Sequence, residues 1–386
     1  MRTSIQPSND KTILHSNLHI VCLDVPYPAD YGGVFDLFYK IKALYSLGIK
    51  IHLHCFEYGR GEQEELNKYC QTVNYYERKS FLKGFSFRLP FIVSSRANPL
   101  LLTNLLKDDY PVLLEGIHCT YFLYTRELTN RRILVRLHNV EFEYYKELSK
   151  ATSNIFKKNY YRLESFLLKK YENKIANKCM FIAVSEKDKE TYQQKFAAKN
   201  IEYLPIFLAF TEVTSEIGTG NFCLYHGNLS VPENEKAALW LMKNVFNTLD
   251  IPFVIAGKNP SRYLQAFTHN NDNFCIAANL SKKEMDDMIR KAHIHVLPSF
   301  NKTGIKIKLL NALFKGRYVI TTQSAIEKNN VEPLCIIANS ASDYKKIITE
   351  LFQKPFTQNE IDKRKKILET AYNNHENALQ LTRWIW

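Results

Sequence analysis

Short apolar runs alternating with helically spaced apolar positions set the pattern of this chain. Leu18 to Asp24 is a compact apolar run that closes on a turn-rich stretch, Pro26 to Gly33, and reads as a buried strand followed by a loop. From Val34 to Leu47 apolar residues fall at 34, 37, 38, 41, 44, 45 and 47. That is the spacing of one helix face, and Gly48 supplies a natural stop. Ile51 to Phe56 reads as a second strand. Strand, helix and strand in this order form a βαβ unit, which implies a parallel sheet.

The alternation continues with strands predicted at Pro111 to Leu114, Arg132 to Leu137 and Met180 to Val184. After Leu204 and Pro205 it lapses through a Thr/Ser/Gly stretch, Thr211 to Gly220. A new series then opens with Phe222 to His226, Phe253 to Ala256, Phe274 to Ile276, Ile294 to Leu297 and Tyr318 to Thr321. The expected fold class is α/β, with two consecutive doubly wound, Rossmann-like domains. Their expected bounds are 1–208 and 209–365, with a C-terminal helix at about 366–386 that packs back on the first domain.

One segment breaks the rhythm. From Ile155 to Lys178, apolar or aromatic residues recur at 156, 160, 163, 167, 171 and 175, and seven Lys or Arg stand against two Glu. An amphipathic surface helix packed on the first sheet accounts for this pattern. A peripheral membrane contact through its cationic face, 155–178, is the sharper alternative.

The 386 residues suit two domains, and 45% hydrophobic with 24% charged residues is the balance of a globular protein. The net charge of +13 is spread over both halves: 30 basic against 22 acidic residues before Thr211, and 22 against 17 from there on. An anionic partner fits such a spread, whereas nucleic-acid binding calls for a concentrated stripe and is not expected. The eight cysteines include no CxxC pair and no zinc spacing, so reduced thiols are expected. Met1 to Asn17 are polar and lack a signal-peptide core, and no run reaches the roughly 18–20 apolar residues of a spanning helix. A cytoplasmic protein, at most attached to the inner face of the membrane, is expected.

Ligands of open α/β sheets bind beyond the carboxyl ends of the strands, and four loops there carry candidate chemistry. Gly32 and Gly33 follow the first strand and let a ligand approach amides at a helix N-terminus. His138 and Asn139 follow the strand at Arg132 to Leu137, with Glu141 shortly after, and His118 follows the neighbouring strand. Asn139 also suits a cap for the next helix. Gly227 and Asn228 open the loop after the first strand of the second series. The fourth loop runs through Thr303, Gly304, Ile305 and Lys306 into a helix bearing Lys308 and Asn311. Cations are unfavourable at a helix N-terminus, so Lys306 and Lys308 make sense there if a bound anion such as a diphosphate completes the site. Two lysines pointing to water are the plainer account.

With these loops assembled, the chain resembles the retaining GT-B glycosyltransferases over nearly its whole length, and is similar to family-4-type bacterial mannosyl- and glucosyltransferases of polysaccharide assembly. The resemblance is carried by Pro28 to Gly33, His138, Val184 to Glu186, Gly227 to Leu229 and, most specifically, Gly304 to Arg317. It implies two parallel sheets facing across a cleft, a nucleotide-sugar donor held by the C-terminal domain, and a glycan or lipid-linked acceptor held by the N-terminal one. His138 then matches the histidine that contacts the transferring sugar. Gly32 and Gly33 match the glycines beside the donor phosphates, and Gly304 to Lys308 the diphosphate grip. Where the family commonly carries two glutamates in the fourth loop, this chain has Thr303 and Asn311; where it carries Arg and Lys in the third, this chain has Asn228 and Asn234. Lys306, Lys308 or Lys236 is left to supply the missing charge. The expected catalytic set is His138, Lys306 and Lys308, the donor-binding set Gly32, Gly33, Gly227, Asn228, Thr303, Gly304, Ile305 and Asn311, and the acceptor-side set His118, Asn139 and Glu141. No cofactor and no metal are expected, in keeping with the lack of any Asp-x-Asp triplet. A nucleotide-sugar epimerase of the same fold, or a non-catalytic sugar- or lipid-binding module, is the alternative.

Overall fold

The computed structural model describes residues 16–30, 32–128, 130–268, 273–300, 304, 306–326 and 331–386. The chain divides into two compact units, one built on the chain up to Ala209 together with Tyr372–Trp386, the other on Phe210–Lys302 and Lys306–Ala371.

The first unit holds a seven-stranded sheet of β1 (Asn17–Cys22), β2 (Lys50–Glu57), β3 (Thr72–Glu77), β4 (Val112–Glu115), β5 (Ile133–Arg136), β6 (Met180–Ala183) and β7 (Ile201–Tyr203). Its order is β3-β2-β1-β4-β5-β6-β7, and every neighbouring pair is parallel. The second unit holds β8 (Cys223–His226), β9 (Phe253–Gly257), β10 (Phe274–Ala278), β11 (Ile294–Leu297), β12 (Tyr318–Thr321) and β13 (Ile336–Ile337). Their order is β10-β9-β8-β11-β12-β13, again all parallel. Each apolar run that predicts a strand lies on one of these. Three strands, β3, β7 and β13, have no such run, and all three are sheet edges with half-exposed sequences. An edge strand has one neighbour and less to bury, so it needs no apolar block.

Helices cover both faces of the first sheet. On one side Leu18 and Ile20 meet Leu37, Phe38, Ile41 and Leu44 of α1 (Gly32–Ser46) and Ala378, Leu381 and Ile385 from the end of the chain. On the other, Val21, Leu114 and Val135 meet Leu168, Tyr171 and Ile175. That alternation follows from successive strand residues facing opposite ways. α2 (Glu141–Ala151) precedes the expected amphipathic segment, Ile155 to Lys178, which is one helix, α3 (Ile155–Ile175), and α4 (Glu186–Phe196) lies beyond β6. The second half of α3 therefore spends its apolar stripe on the sheet.

In the second unit α5 (Pro232–Asn244) follows β8 and α6 (Ile307–Lys315) follows β11. The single helix expected at about 366–386 is instead two, α7 (Gln358–Ala371) and α8 (Asn374–Ile385), because Asn373 caps a new start by accepting from the His375 and Glu376 amides. Only α8 joins the first unit. Leu381 and Ile385 are almost fully buried there, each worth about 1.5–3 kcal/mol.

Candidate active site

Both sheets reverse their strand order once, between β1 and β4 in the first and between β8 and β11 in the second. Such switch points open a crevice at the carboxyl ends of the strands. The predicted site residues follow β1, β4, β5, β8 and β11.

At the first switch point α1 begins with Gly32, exposed, and Gly33, half-buried. Neither puts a side chain over the free first-turn amides. One turn further, α1 turns Asp36 and Lys40 into the protein interior, where both are buried. Lys40 donates to Asp36 Oδ2 at 3.0 Å and lies 2.8 Å from Glu115 Oε1, at the end of β4. Arg136, at the end of β5, reaches Asp36 at 3.4 Å and donates to the carbonyls of Leu204 and Pro205. His138 Nε2 stands 3.0 Å from Glu115 Oε2. Burial opposes the Asp36 charge, but Lys40 and Arg136 outweigh it and hold the carboxyl well below its ordinary range. Glu115 is lowered the same way, burial being outweighed by Lys40 and His138.

This network fixes the histidine. Glu115 can only accept, so the Nε2 proton is committed to it and a neutral His138 ring keeps its lone pair on Nδ1. Asp36, Glu115 and His138 offer ligand atoms within 4.8 Å of one another. The Lys40 ammonium already lies among them, and two buried cations balance two buried carboxylates, so the cluster needs no metal for neutrality.

Gly116 sets the spacing of the two strand-end histidines. Its φ is +77°, and a Cβ there would lie 2.8 Å from His118 Nδ1 and 3.5 Å from His138 Cδ2. His118 is held well below its ordinary value by burial and then by Arg96, and its Nδ1 is buried without a hydrogen-bond partner. Asn139 does not cap α2. Its side chain leans on Glu141 at 3.5 Å, and the open amides of Glu141 and Phe142 donate instead to Glu172 of α3, at 3.0 and 3.1 Å. Glu172 also accepts from the Tyr192 hydroxyl. Burial pushes Glu141 up to about 7 and Glu172 up to about 8. Glu141 is thus buried at the helix start, beside Asn139.

At the second switch point the loop after β8 is held down by Gly227 N donating to Ala256 O and Leu229 N donating to Lys258 O. A Cβ on Gly257 would sit 1.9 Å from the Gly227 carbonyl, so only glycine permits this approach. Asn228 is turned back on its own loop, accepting from the Ser230 amide and hydroxyl. Lys306 precedes α6 as its N-cap residue and makes no side-chain cap, since an ammonium has no acceptor to offer the amides. Lys308, in the first turn, points inward. Its Nζ donates to Tyr225 Oη at 3.1 Å and Asn234 Oδ1 at 3.0 Å, and lies 4.7 Å from the centre of the Tyr225 ring. Burial, reinforced by Lys306, pushes it down to about 8. One turn on, Asn311 keeps a buried Oδ1 with no partner, as does His226 with its Nε2. Gly304 is exposed with φ +71°. Thr303 and Ile305 lie outside the described residues.

The structure thus gathers His118, His138, Asn139 and Glu141 at one switch point, with Gly32 and Gly33 at the head of the adjoining helix. Gly227, Lys308 and Asn311 stand at the other. Sequence reasoning missed Asp36 and Lys40, although a charged pair four apart inside the apolar stripe of α1 was the available signal. It also missed Tyr225 and His226, which read as ordinary strand residues.

Residues 220–354 match the family described as glycosyl transferases group 1. An uncharacterized 44.6 kDa protein in the cps region of Klebsiella pneumoniae is 30% identical over 350 residues, covering 83% of this chain and 87% of that one. Among solved structures, a glycosyltransferase from Rickettsia africae ESF-5 is similar with a TM-score of 0.62, at 15% identity over 96% of this chain and 98% of its own. An α,α-trehalose-phosphate synthase (UDP-forming) from Burkholderia xenovorans, in complex with glucose-6-phosphate, is similar with a TM-score of 0.61, at 10% identity over 96% and 99%. TarM gives 0.58, at 11% identity over 96% and 97%. The two parallel sheets and these likenesses define the α/β GT-B fold, and residues 220–354 form a domain of the group 1 glycosyl transferases.

Proposed function

We propose that this enzyme moves a hexose from a nucleotide-diphosphate sugar to a glycan or lipid-linked acceptor, with retention of configuration, during assembly of a surface polysaccharide. The observation that carries the proposal is the inward Lys308 ammonium at the start of α6, against Tyr225 and Asn234. A buried cation beside open helix amides is short of one thing, an anion. The donor diphosphate supplies it, and the Asn311 Oδ1 left without a partner accepts from a ribose hydroxyl. Gly227, Asn228, Gly304 and Lys306 line the approach. Assignments to Thr303 and Ile305 rest on the sequence alone.

In the first unit Gly32 and Gly33 take the donor phosphates at the α1 amides. His138, oriented by Glu115, takes a hydroxyl of the transferring sugar through Nδ1, and His118, Asn139 and Glu141 serve the acceptor. The bond from the anomeric carbon to the diphosphate oxygen breaks, and the acceptor oxygen bonds to that carbon on the same face. The departing phosphate oxygen takes the acceptor proton, so no carboxylate base is required. Lys308 and the helix amides stabilise the charge that develops on the leaving diphosphate. No metal or cofactor enters this scheme.

The cps-region relative supports a polysaccharide context. Among the described residues no helix is long and apolar enough to cross a membrane. A cytoplasmic enzyme meeting its acceptor at the inner membrane face accords with the cationic character of α3. The test is incubation with a panel of nucleotide-diphosphate sugars, with and without glycan and lipid-linked acceptors, followed by product analysis and assignment of the new anomeric centre. Sugar conversion without an acceptor means an epimerase, and an inverted product removes the retaining assignment.

A further inference from the structure

Two segments of the first unit leave large apolar side chains in water. Leu82 is 91% exposed, Phe87 76% and Phe156 83%, with Phe81 and Ile155 at least half exposed beside them. They form one surface. The Phe81 ring lies 5.8 Å from that of Tyr160 on α3 and 5.3 Å from Phe91, and the Phe91 amide donates to Glu164 of α3 at 2.9 Å. These ring contacts and the Glu164 hydrogen bond hold the 81–91 segment against the first turns of α3, while Leu82, Phe87 and Phe156 project into water.

The charges in the same two segments have one sign. Residues 78–91 contain Arg78, Lys79, Lys83 and Arg88, and residues 152–163 contain Lys157, Lys158 and Arg162; neither stretch holds an Asp or a Glu. The nearest acid on α3, Glu164, is buried and engaged by the Phe91 amide.

We infer that this composite surface, the 78–91 segment joined to the start of α3, docks the enzyme on an anionic phospholipid bilayer, with Leu82, Phe87 and Phe156 entering the headgroup boundary. Exposed apolar groups ringed by cations match the two halves of such an interface: burial of apolar area, and attraction to lipid phosphates of about 1 kcal/mol per cation. A second copy of the chain is disfavoured as the occupant, because a self-complementary contact would bring two acid-free cationic patches together. This docking goes beyond the proposed transfer reaction, since it stands whichever sugar is moved, and it replaces the cationic face of 155–178 as a whole with the first turns of α3 and a segment the sequence pattern did not single out.

The experiment is co-sedimentation of the full chain with vesicles of phosphatidylcholine alone and of phosphatidylcholine containing phosphatidylglycerol, with no donor or acceptor present. Binding is expected only to the anionic vesicles and should fall as salt rises from about 0.1 to about 1 M. The triple substitution Leu82→Ser, Phe87→Ser, Phe156→Ser should lower partitioning by about tenfold or more while nucleotide-sugar turnover with a soluble acceptor is retained. Ile217→Ser, an exposed apolar position on the second unit, should change nothing. If the triple variant does not fold, Phe156→Ser alone decides. Wild-type indifference to anionic lipid, or undiminished binding by the variant, overturns the proposal. So does light scattering that shows a dimer dissolved by the substitutions while vesicle binding persists. Loss of transferase activity with vesicle binding intact counts against the reaction and leaves the docking surface standing.

Discussion

Lys308 places its ammonium 3.0 Å from Asn234 Oδ1, so a cation stands beside residue 234 from a different helix, where the resemblance leads one to expect a charged side chain. The neutral amide is then a support that aims the lysine. Lys308→Ala should lower kcat/KM for the donor by about 100-fold, the effect of removing one strong electrostatic contact to a leaving group. Thermal unfolding should barely move, since Tyr225 and Asn234 keep each other as partners. Steady-state kinetics alongside a melting curve check this, and equal turnover in the variant removes the assignment.

The same lysine predicts a pH dependence of donor binding. Held down to about 8 by burial, it loses its charge as the pH rises through that value, and with it the attraction for a diphosphate. Affinity for a nucleoside diphosphate should therefore be level below about pH 7 and fall by up to about tenfold per unit above about 8. Lys308→Arg, which stays charged, should flatten the curve. Calorimetric titrations across this range provide the reading.

His138 is held by Glu115 through Nε2, so its other nitrogen is the one left for the proposed contact with a sugar hydroxyl. His138→Ala should cut kcat by about 100-fold or more and leave the Kd for the bare nucleoside diphosphate unchanged. Equal weakening of both would mean that the ring supports the fold and does not touch the sugar.

The Asp36, Lys40, Glu115 and Arg136 network is expected to be costly to break. Lys40→Met leaves two buried carboxylates facing each other and should destabilise the first unit by about 3–5 kcal/mol. Scanning calorimetry should show that loss in the transition of the first unit while the second is spared.

Stability itself should fall as the pH rises from mildly acid to mildly basic. Glu141, Glu164 and Glu172 are pushed up by burial to about 7, 7 and 8, whereas in the unfolded chain they ionise at about 4.3. Between about pH 5 and 8 the folded protein thus holds protons that the unfolded chain has released, and stability falls as pH rises. Below about 6.5 the buried His54 and His226, both held down to about 3, act in the other direction. The unfolded chain takes up protons that the folded one refuses, and the slope is shallower there. Urea midpoints measured from about pH 5 to 8.5 should fall with rising pH, most steeply between about 6.5 and 8.

The interior strands of both sheets were legible because a strand buried on both faces must be apolar throughout, as Ile133–Arg136 and Ile294–Leu297 are in all but one or two positions. Thr72–Glu77 was not, since an edge strand is under no such demand. The candidate site was half legible. His138 stands just past a strand end and Lys308 in the first turn of a helix, where chain order alone marks them. Asp36 and Lys40 were hidden because a helical stripe advertises what it buries only when that is apolar, and Tyr225 because a strand aromatic reads first as core. Capping was misread for a related reason: Asn139 is local and visible, whereas Glu172, which does the capping, is 31 residues from Glu141 and comes near only through the packing of α3 on α2.

Because α8 seats Ala378, Leu381 and Ile385 against the first sheet, the first unit waits for a segment that is translated only after the second unit. The nascent first unit carries an uncovered apolar strip for the whole time the second is being synthesised, and it must rely on chaperones or on slow maturation until residues 374–385 arrive. Expressed by itself as 1–209, it should aggregate, and supplying the missing helix as a tethered peptide should restore its solubility.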